Sequence, residues 1–158
     1  MYKIISEDQN EVINFEENYY AWIDHDSGLM WELKNKENVN YKYVWSKEYV
    51  KIADDIFYMN DDVKDIQSYV EKLNDISYVG YSDWRIPSIQ ELETLLVDDN
   101  LKKPLENNYL YACWSSNVYE PSENFSWYID FNVGIKAYDE KINVYQVYCV
   151  RGKLNNEE

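Results

Sequence analysis

The stretch Tyr81-Ser82-Asp83-Trp84-Arg85-Ile86-Pro87-Ser88-Ile89-Gln90-Glu91-Leu92 limits the fold more than any other part of the chain. Pro87 biases Ile86 toward extended backbone, so a helix does not run through this point. Ser88 is a good N-cap, and Glu91 three residues later completes a capping box. Leu92, Leu95 and Leu96 follow at helical spacing, which predicts a helix over residues 89–97. Trp84 and Arg85 sit just before it, where the backbone has least freedom. Trp84 brings a large apolar body with one N–H to satisfy. Arg85 brings a planar fork that can bridge several carbonyls or carboxylates. The stretch is a structural keystone by this reading, not an active site.

Composition sets the outer bounds. A chain of 158 residues suits a single domain over 1–158. It carries 17 Tyr, 6 Trp and 4 Phe but only 4 Gly and 3 Pro, which points to an ordered, aromatic-rich fold. Against 15 basic residues stand 30 acidic ones, a net charge of −15. That disfavours direct binding to nucleic acid or anionic lipid, because polyanions are repelled. It suits a basic protein partner, and it equally suits solubility alone. Two cysteines and one histidine, His25, exclude a Cys/His zinc cage; no metal and no cofactor is expected. The N-terminus turns acidic at Glu7-Asp8 and lacks the apolar centre of a signal peptide. No run approaches the ~18 apolar residues that cross a membrane. As written the chain is expected in the cytoplasm, or exported where a leader has been removed.

Read in order, residues 2–6 and 12–16 suggest a strand pair, and Tyr20–Asp24 and Leu29–Leu33 a hairpin around Gly28. Residues 34–40 form a polar loop, and Tyr41–Trp45 a short strand or aromatic loop. Ser46–Val50 suggests a helical turn and Ile56–Met59 a strand. Val63, Ile66, Val70 and Leu73 predict a helix over 63–75, capped by Asp61 or Asp62. Beyond a loop at 100–110, strands are expected over 111–118, 125–131, 135–138 and 144–150, with a hairpin turn at Asn132-Val133-Gly134 and a frayed tail at 154–158.

Five blocks then stand in order: Ser27–Trp31; Gly80–Ser88 with Glu91-Leu92; Trp114-Ser115-Ser116; Trp127–Phe131 with Gly134; and Val150-Arg151-Gly152. Their content and order resemble the bacterial domain family found at the C-terminus of the Legionella collagen-like adhesin, over about residues 20–152. That family is similar to the C-type-lectin-like and formylglycine-generating-enzyme folds. The resemblance implies an α+β domain with two helices packed on small twisted antiparallel sheets, and an adhesin-like binding module. Residues 34–62 exceed the family's usual connection and mark what is specific to this chain.

Trp31, Trp84, Arg85, Trp114, Trp127 and Arg151 are assigned to structure. Cys113 and Cys149 fall on expected core strands and admit two readings, buried thiols or a disulfide if their Cα atoms lie within about 7 Å. A catalytic thiol pair is implied only by the formylglycine-generating resemblance. Asp24, Asp26 and Gly28 fail the spacing of an EF-hand loop and read as a turn. Glu120-Pro121-Ser122 sits where calcium-dependent lectins carry a sugar motif, with serine in place of the amide. No nucleophile elbow, P-loop or dinucleotide motif is present, so no enzyme is expected. Asp54, Asp55, Asp61 and Asp62 form a dense acidic run near Tyr41, Tyr43 and Tyr58. With Tyr119, Glu120 and Glu123 they are the candidate partner contacts. The expectation is a non-catalytic module for a protein partner. The alternatives are a glycan-binding lectin-like domain and an acidic decoy of a nucleic-acid-binding protein. Oligomeric state is left open.

Overall fold

Alternating side chains make the central hairpin two-faced. The computed structural model describes residues 2–5, 11–16, 19–35, 37–59, 62–97 and 111–155. In it β3 (Tyr19–Asp24) and β4 (Leu29–Leu33) pair antiparallel, with Trp22 opposite Trp31. β1 (Tyr2–Ile5) and β2 (Glu11–Glu16) extend the sheet on one side and β10 (Val150–Gly152) on the other, in the order β1-β2-β3-β4-β10. Trp22, Leu29, Trp31 and Leu33 pack with Leu92 and Leu95 of α3 (Ile89–Val97). Ala21 and Met30, on the opposite face, pack with Ile66 and Leu73 of α2 (Ile66–Asp75). Every residue of β4 is buried, as a strand covered on both faces requires.

A second sheet holds β7 (Ala112–Val118), β8 (Phe125–Asp130) and β9 (Ile135–Glu140), all antiparallel. Its Cys113 and Ile129 join the α3-side cluster, and its Trp114 joins the α2-side cluster. The expected α+β character therefore holds, with three α-helices among the described residues where two were expected. The third is α1 (Val50–Phe57), inside the long 34–62 segment. It replaces the strand expected at Ile56–Met59: the apolar residues there space as a helix, which closes at Tyr58 in the left-handed region (φ 53°).

Two further expectations shift. The helix over 63–75 begins at Ile66 because Asp65 is its N-cap, accepting a hydrogen bond from the Ser68 amide at 2.8 Å. Asp62 lies outside it, and Asp61 lies outside the described residues. Val63 instead joins Val44 and Ala53 in a small cluster beneath α1. Here β5 (Tyr43–Val44) and β6 (Lys64–Asp65) make a short parallel pair. The long strand expected over 144–150 is also absent apart from its end. The segment is extended, but its partner changes every few residues. Tyr145 pairs with Tyr43, Gln146 bonds Ala112 and Trp114, Cys149 bonds Glu32, and Val150 pairs with Arg85. It stitches the sheets together instead of adding to one of them.

The keystone stretch performs as its residues suggest. Ser88 and Glu91 form the capping box, with Ser88 Oγ accepting from the Glu91 amide and the Glu91 carboxylate accepting from the Ser88 amide. Arg85 grips the same carboxylate with both terminal nitrogens, at 2.7 and 2.5 Å, and reaches the Gly152 carbonyl at 2.8 Å. Trp84 is buried, its indole N–H donating to the Tyr78 carbonyl. Asn74 at the end of α2 brackets the Trp84 backbone through both amide atoms. Gly28 and Gly152 (φ +82° and +92°) lie against one another. A Cβ on Gly152 would stand 2.6 Å from the Gly28 carbonyl, so the first and last signature blocks meet where only glycine fits.

Trp84→Ala is expected to cost about 3–5 kcal/mol in urea denaturation; wild-type stability would remove the keystone role. Asp83 makes a two-point ion pair with Arg151 (2.6 and 3.0 Å), and hydrogen bonds from that arginine hold its carboxyl below the usual range. A carboxylate with a depressed folded pKa adds stability above its unfolded value, about 3.9, and loses it as pH falls through the lower folded value. Asp83 is exposed, so the increment is small. Asp83→Asn should melt slightly below wild type at neutral pH, and the gap should close on acidification past about pH 3.9.

Candidate functional site

The 34–62 segment supplies a run of exposed apolar side chains. α1 buries only Ala53 and turns Ile52 (49% exposed), Ile56 (53%) and Phe57 (41%) to solvent, followed by Tyr58 (84%). Ile52 and Ile56 are one helical turn apart and form a single ridge. Asp55 is exposed beside it and Asp54 half-buried, while Asp62 is exposed beyond the helix end. Four of the predicted contacts, Asp54, Asp55, Tyr58 and Asp62, therefore fall on α1 or the turn after it. What the charge pattern did not reveal is that the surface is as apolar as it is acidic.

Tyr41 and Tyr43 go elsewhere. They line a cleft of about 650 Å³ between Asn35 with residues 37–41, the start of α1 and α2. Tyr41 is exposed at its rim, with the Lys64 ammonium 4.6 Å from its ring centre. Tyr43 is fully buried in the wall, so it is no surface anchor: its ring packs on Tyr69 at 5.1 Å between centres. Its hydroxyl is buried without a hydrogen-bond partner. Four lysines, Lys47, Lys51, Lys64 and Lys72, line this cleft against two acids, Glu37 and Asp65.

Behind the cleft lies a buried charge pair that sequence reasoning missed. Glu32 and Lys34 meet at 2.7 Å with both side chains fully buried. The Lys34 ammonium sits among the rings of Tyr69 (4.2 Å), Tyr148 (5.2 Å) and Tyr43 (5.6 Å). Glu32 also accepts the Tyr69 hydroxyl at 2.6 Å and the Cys149 amide at 2.9 Å. Burial, then the Glu32 charge, pushes the Tyr69 hydroxyl well above its ordinary range, so it stays a donor. The signal was present: Glu32 interrupts the apolar run Leu29-Met30-Trp31 at a position whose alternation with Met30 points inward.

The third group is on the second sheet. Tyr119 stacks on Tyr138 at 3.9 Å between ring centres, and Trp127 and Phe125 pack edge-on against Tyr138 at 5.3 and 6.1 Å. Trp127, assigned to structure from sequence, is only half-buried and belongs to this outward cluster. Trp31 and Trp114 are fully buried. Glu120 and Glu123 are exposed on the adjoining loop. Lys141 ties the 119–124 loop to the segment leading into α1, its amide donating to the Asn124 carbonyl at 2.9 Å and its carbonyl accepting from the Trp45 amide at 3.1 Å; burial lowers its ammonium, while Glu48 and Glu123 pull it back up. Among the described residues no three His, Cys, Asp or Glu side chains gather as a metal site.

Cys113 and Cys149 are free and buried, in separate core clusters, and no disulfide joins them. Burial raises both thiols. Glu32 adds to the shift at Cys149, and at Cys113 the Lys34 charge opposes it. Such thiols are held protonated and are poor nucleophiles.

With the geometry in place, the comparison with known families is decisive over most of the chain: the model of the Lcl C-terminal domain matches residues 20–151. The chain belongs to that family. No curated protein matches it. The match to the Lcl C-terminal domain takes in the β3–β4 hairpin, α1, α2, the keystone and the second sheet, while β1 and β2 lie before it.

Removing one partner of the Glu32–Lys34 pair leaves a buried charge alone, so Lys34→Met should cost about 3–5 kcal/mol. Glu32→Gln combined with Lys34→Met keeps the acceptor for Tyr69 and Cys149 and should recover most of that loss. Denaturation of the singles and the double gives the coupling directly, and strict additivity would refute it.

Proposed function

We propose that this Lcl C-terminal domain is a non-catalytic, adhesin-like binding module of C-type-lectin-like type, and that the outer face of α1 takes a protein partner. The observation that carries this reading is the ridge of Ile52, Ile56, Phe57 and Tyr58, large side chains left in solvent beside Asp55 on a helix that buries one residue. Contiguous exposed apolar surface rimmed by charge is typical of a protein contact. Aromatic anchors and a charged rim divide the work, the first giving residence and the second steering. The held-protonated thiols support the non-catalytic reading.

A neutral glycan is the second reading, favoured by the Tyr119–Tyr138 stack and the half-buried Trp127 beside it. Flat exposed rings offer apolar faces to sugar C–H groups, and a neutral sugar escapes the repulsion that a net charge of −15 imposes on polyanions.

Affinity capture from source lysate, read by mass spectrometry, tests the choice. Wild type should retain a protein that an Ile52→Ser, Ile56→Ser double variant loses by at least about tenfold. Changing Asp54, Asp55, Asp61 and Asp62 to Asn should weaken capture mainly at low salt. Capture indifferent to the isoleucines would sink the α1 reading. Binding of neutral glycans that Tyr138→Ala abolishes would transfer the function to the second sheet. A captured basic nucleic-acid-binding protein, released steeply by salt and not by the isoleucine changes, would make the module an acidic decoy.

A further inference from the structure

We propose that the cleft between residues 37–41, α1 and α2 binds a small organic anion: a phosphate carried on a ring, of mononucleotide or aryl phosphate size. The inference does not rest on the partner surface of α1. Its first support is charge. The chain has 15 basic residues in all, and four of them, Lys47, Lys51, Lys64 and Lys72, line this one cleft. Among the described residues none of the four is in an ion pair. Of the two acids on the lining, Asp65 is committed to the α2 amide of Ser68. An otherwise acidic protein therefore presents local positive charge in one concave place. Such a place focuses field lines onto a small anion.

The second support is shape and chemistry. About 650 Å³ lies within the range of small-molecule sites. The walls carry the rings of Tyr41 and Tyr69, and Lys64 already rests over Tyr41. Tyr43, fully buried, forms part of the wall behind these rings. The buried Glu32–Lys34 pair holds Tyr69 in place through its hydroxyl, so one wall is preorganised. A long polyanion would meet the acidic surface around the cleft. A small one meets mainly the cleft lining, where four lysines outnumber two acids, since charges beyond about 8 Å are screened at physiological salt. Lysine is also a compact, point-like phosphate partner.

Calorimetric titration of the full chain with four probes decides the matter: adenosine monophosphate, para-nitrophenyl phosphate, inorganic phosphate and uncharged adenosine. Adenosine monophosphate or para-nitrophenyl phosphate should bind at least about tenfold more tightly than adenosine or inorganic phosphate, and high salt should weaken it. The stronger of the two ring phosphates tells a nucleoside from a simple aryl carrier. Lys64→Gln with Lys72→Gln should weaken that probe by at least about tenfold at unchanged melting temperature, since Lys72 is exposed, Lys64 is half-exposed and neither is ion-paired. Ring phosphates binding no better than adenosine or inorganic phosphate, or equally well in the double variant, would overturn the proposal. So would the absence of binding by both ring phosphates.

Discussion

The Glu32 carboxylate is the constraint on which the rest of the core depends. It is buried on β4 and holds three partners, Lys34 two residues on, Tyr69 of α2 and the Cys149 amide of the final segment. One charge thus fixes the sheet, a helix and the crossing segment together. Burying it is costly unless each lone pair is engaged. The fold meets that demand with an ammonium, a hydroxyl and an amide, and encloses the ammonium in three tyrosine rings. A polar network of this kind strengthens the native arrangement only when complete.

That dependence also explains which parts of the structure were legible in the sequence. The α3 capping box was, because Ser88 and Glu91 act within one turn and Arg85 lies six residues away. The Trp22–Trp31 hairpin was, because its turn is local and both faces alternate. The partners of Glu32 lie 37 and 117 residues away, and no local pattern points to them. The segment 144–150 shows why alternation alone misleads. Its residues are extended as a strand's would be, yet no single neighbour runs beside it, so pairing and conformation part company. At Ile56-Phe57-Tyr58-Met59 strand propensity favoured the wrong element, because a short helix resting on one alanine leaves most of its apolar residues outside the core.

Site legibility was divided in the same way. Acidic residues and tyrosines in the long segment were visible, but their grouping was not. Folding sends Tyr41 and Tyr43 into the cleft and leaves Asp55 and Tyr58 exposed on α1 and at its end. Net charge gave the sign of the whole surface and concealed a local reversal, because it sums over places that a small ligand never meets at once. The four cleft lysines come from four places, the turn before α1, α1 itself, β6 and α2, so their proximity is a property of the fold.

α1 is accordingly a partition between two chemistries. Its inner side, with Val50 and Ala53, closes the cluster of Val44 and Val63, and its first turn brings Lys51 to the cleft. Its outer side displays isoleucine and aromatic side chains that the described residues leave largely in solvent. A helix of eight residues resting on so few core contacts is held mainly by its ends and neighbours. Occupation of either side would therefore change the stability of the same short element, and through it the other side. Coupling of that kind is reciprocal in free energy, so a cleft ligand that orders α1 must favour a partner that needs α1 ordered, by the same factor in both directions.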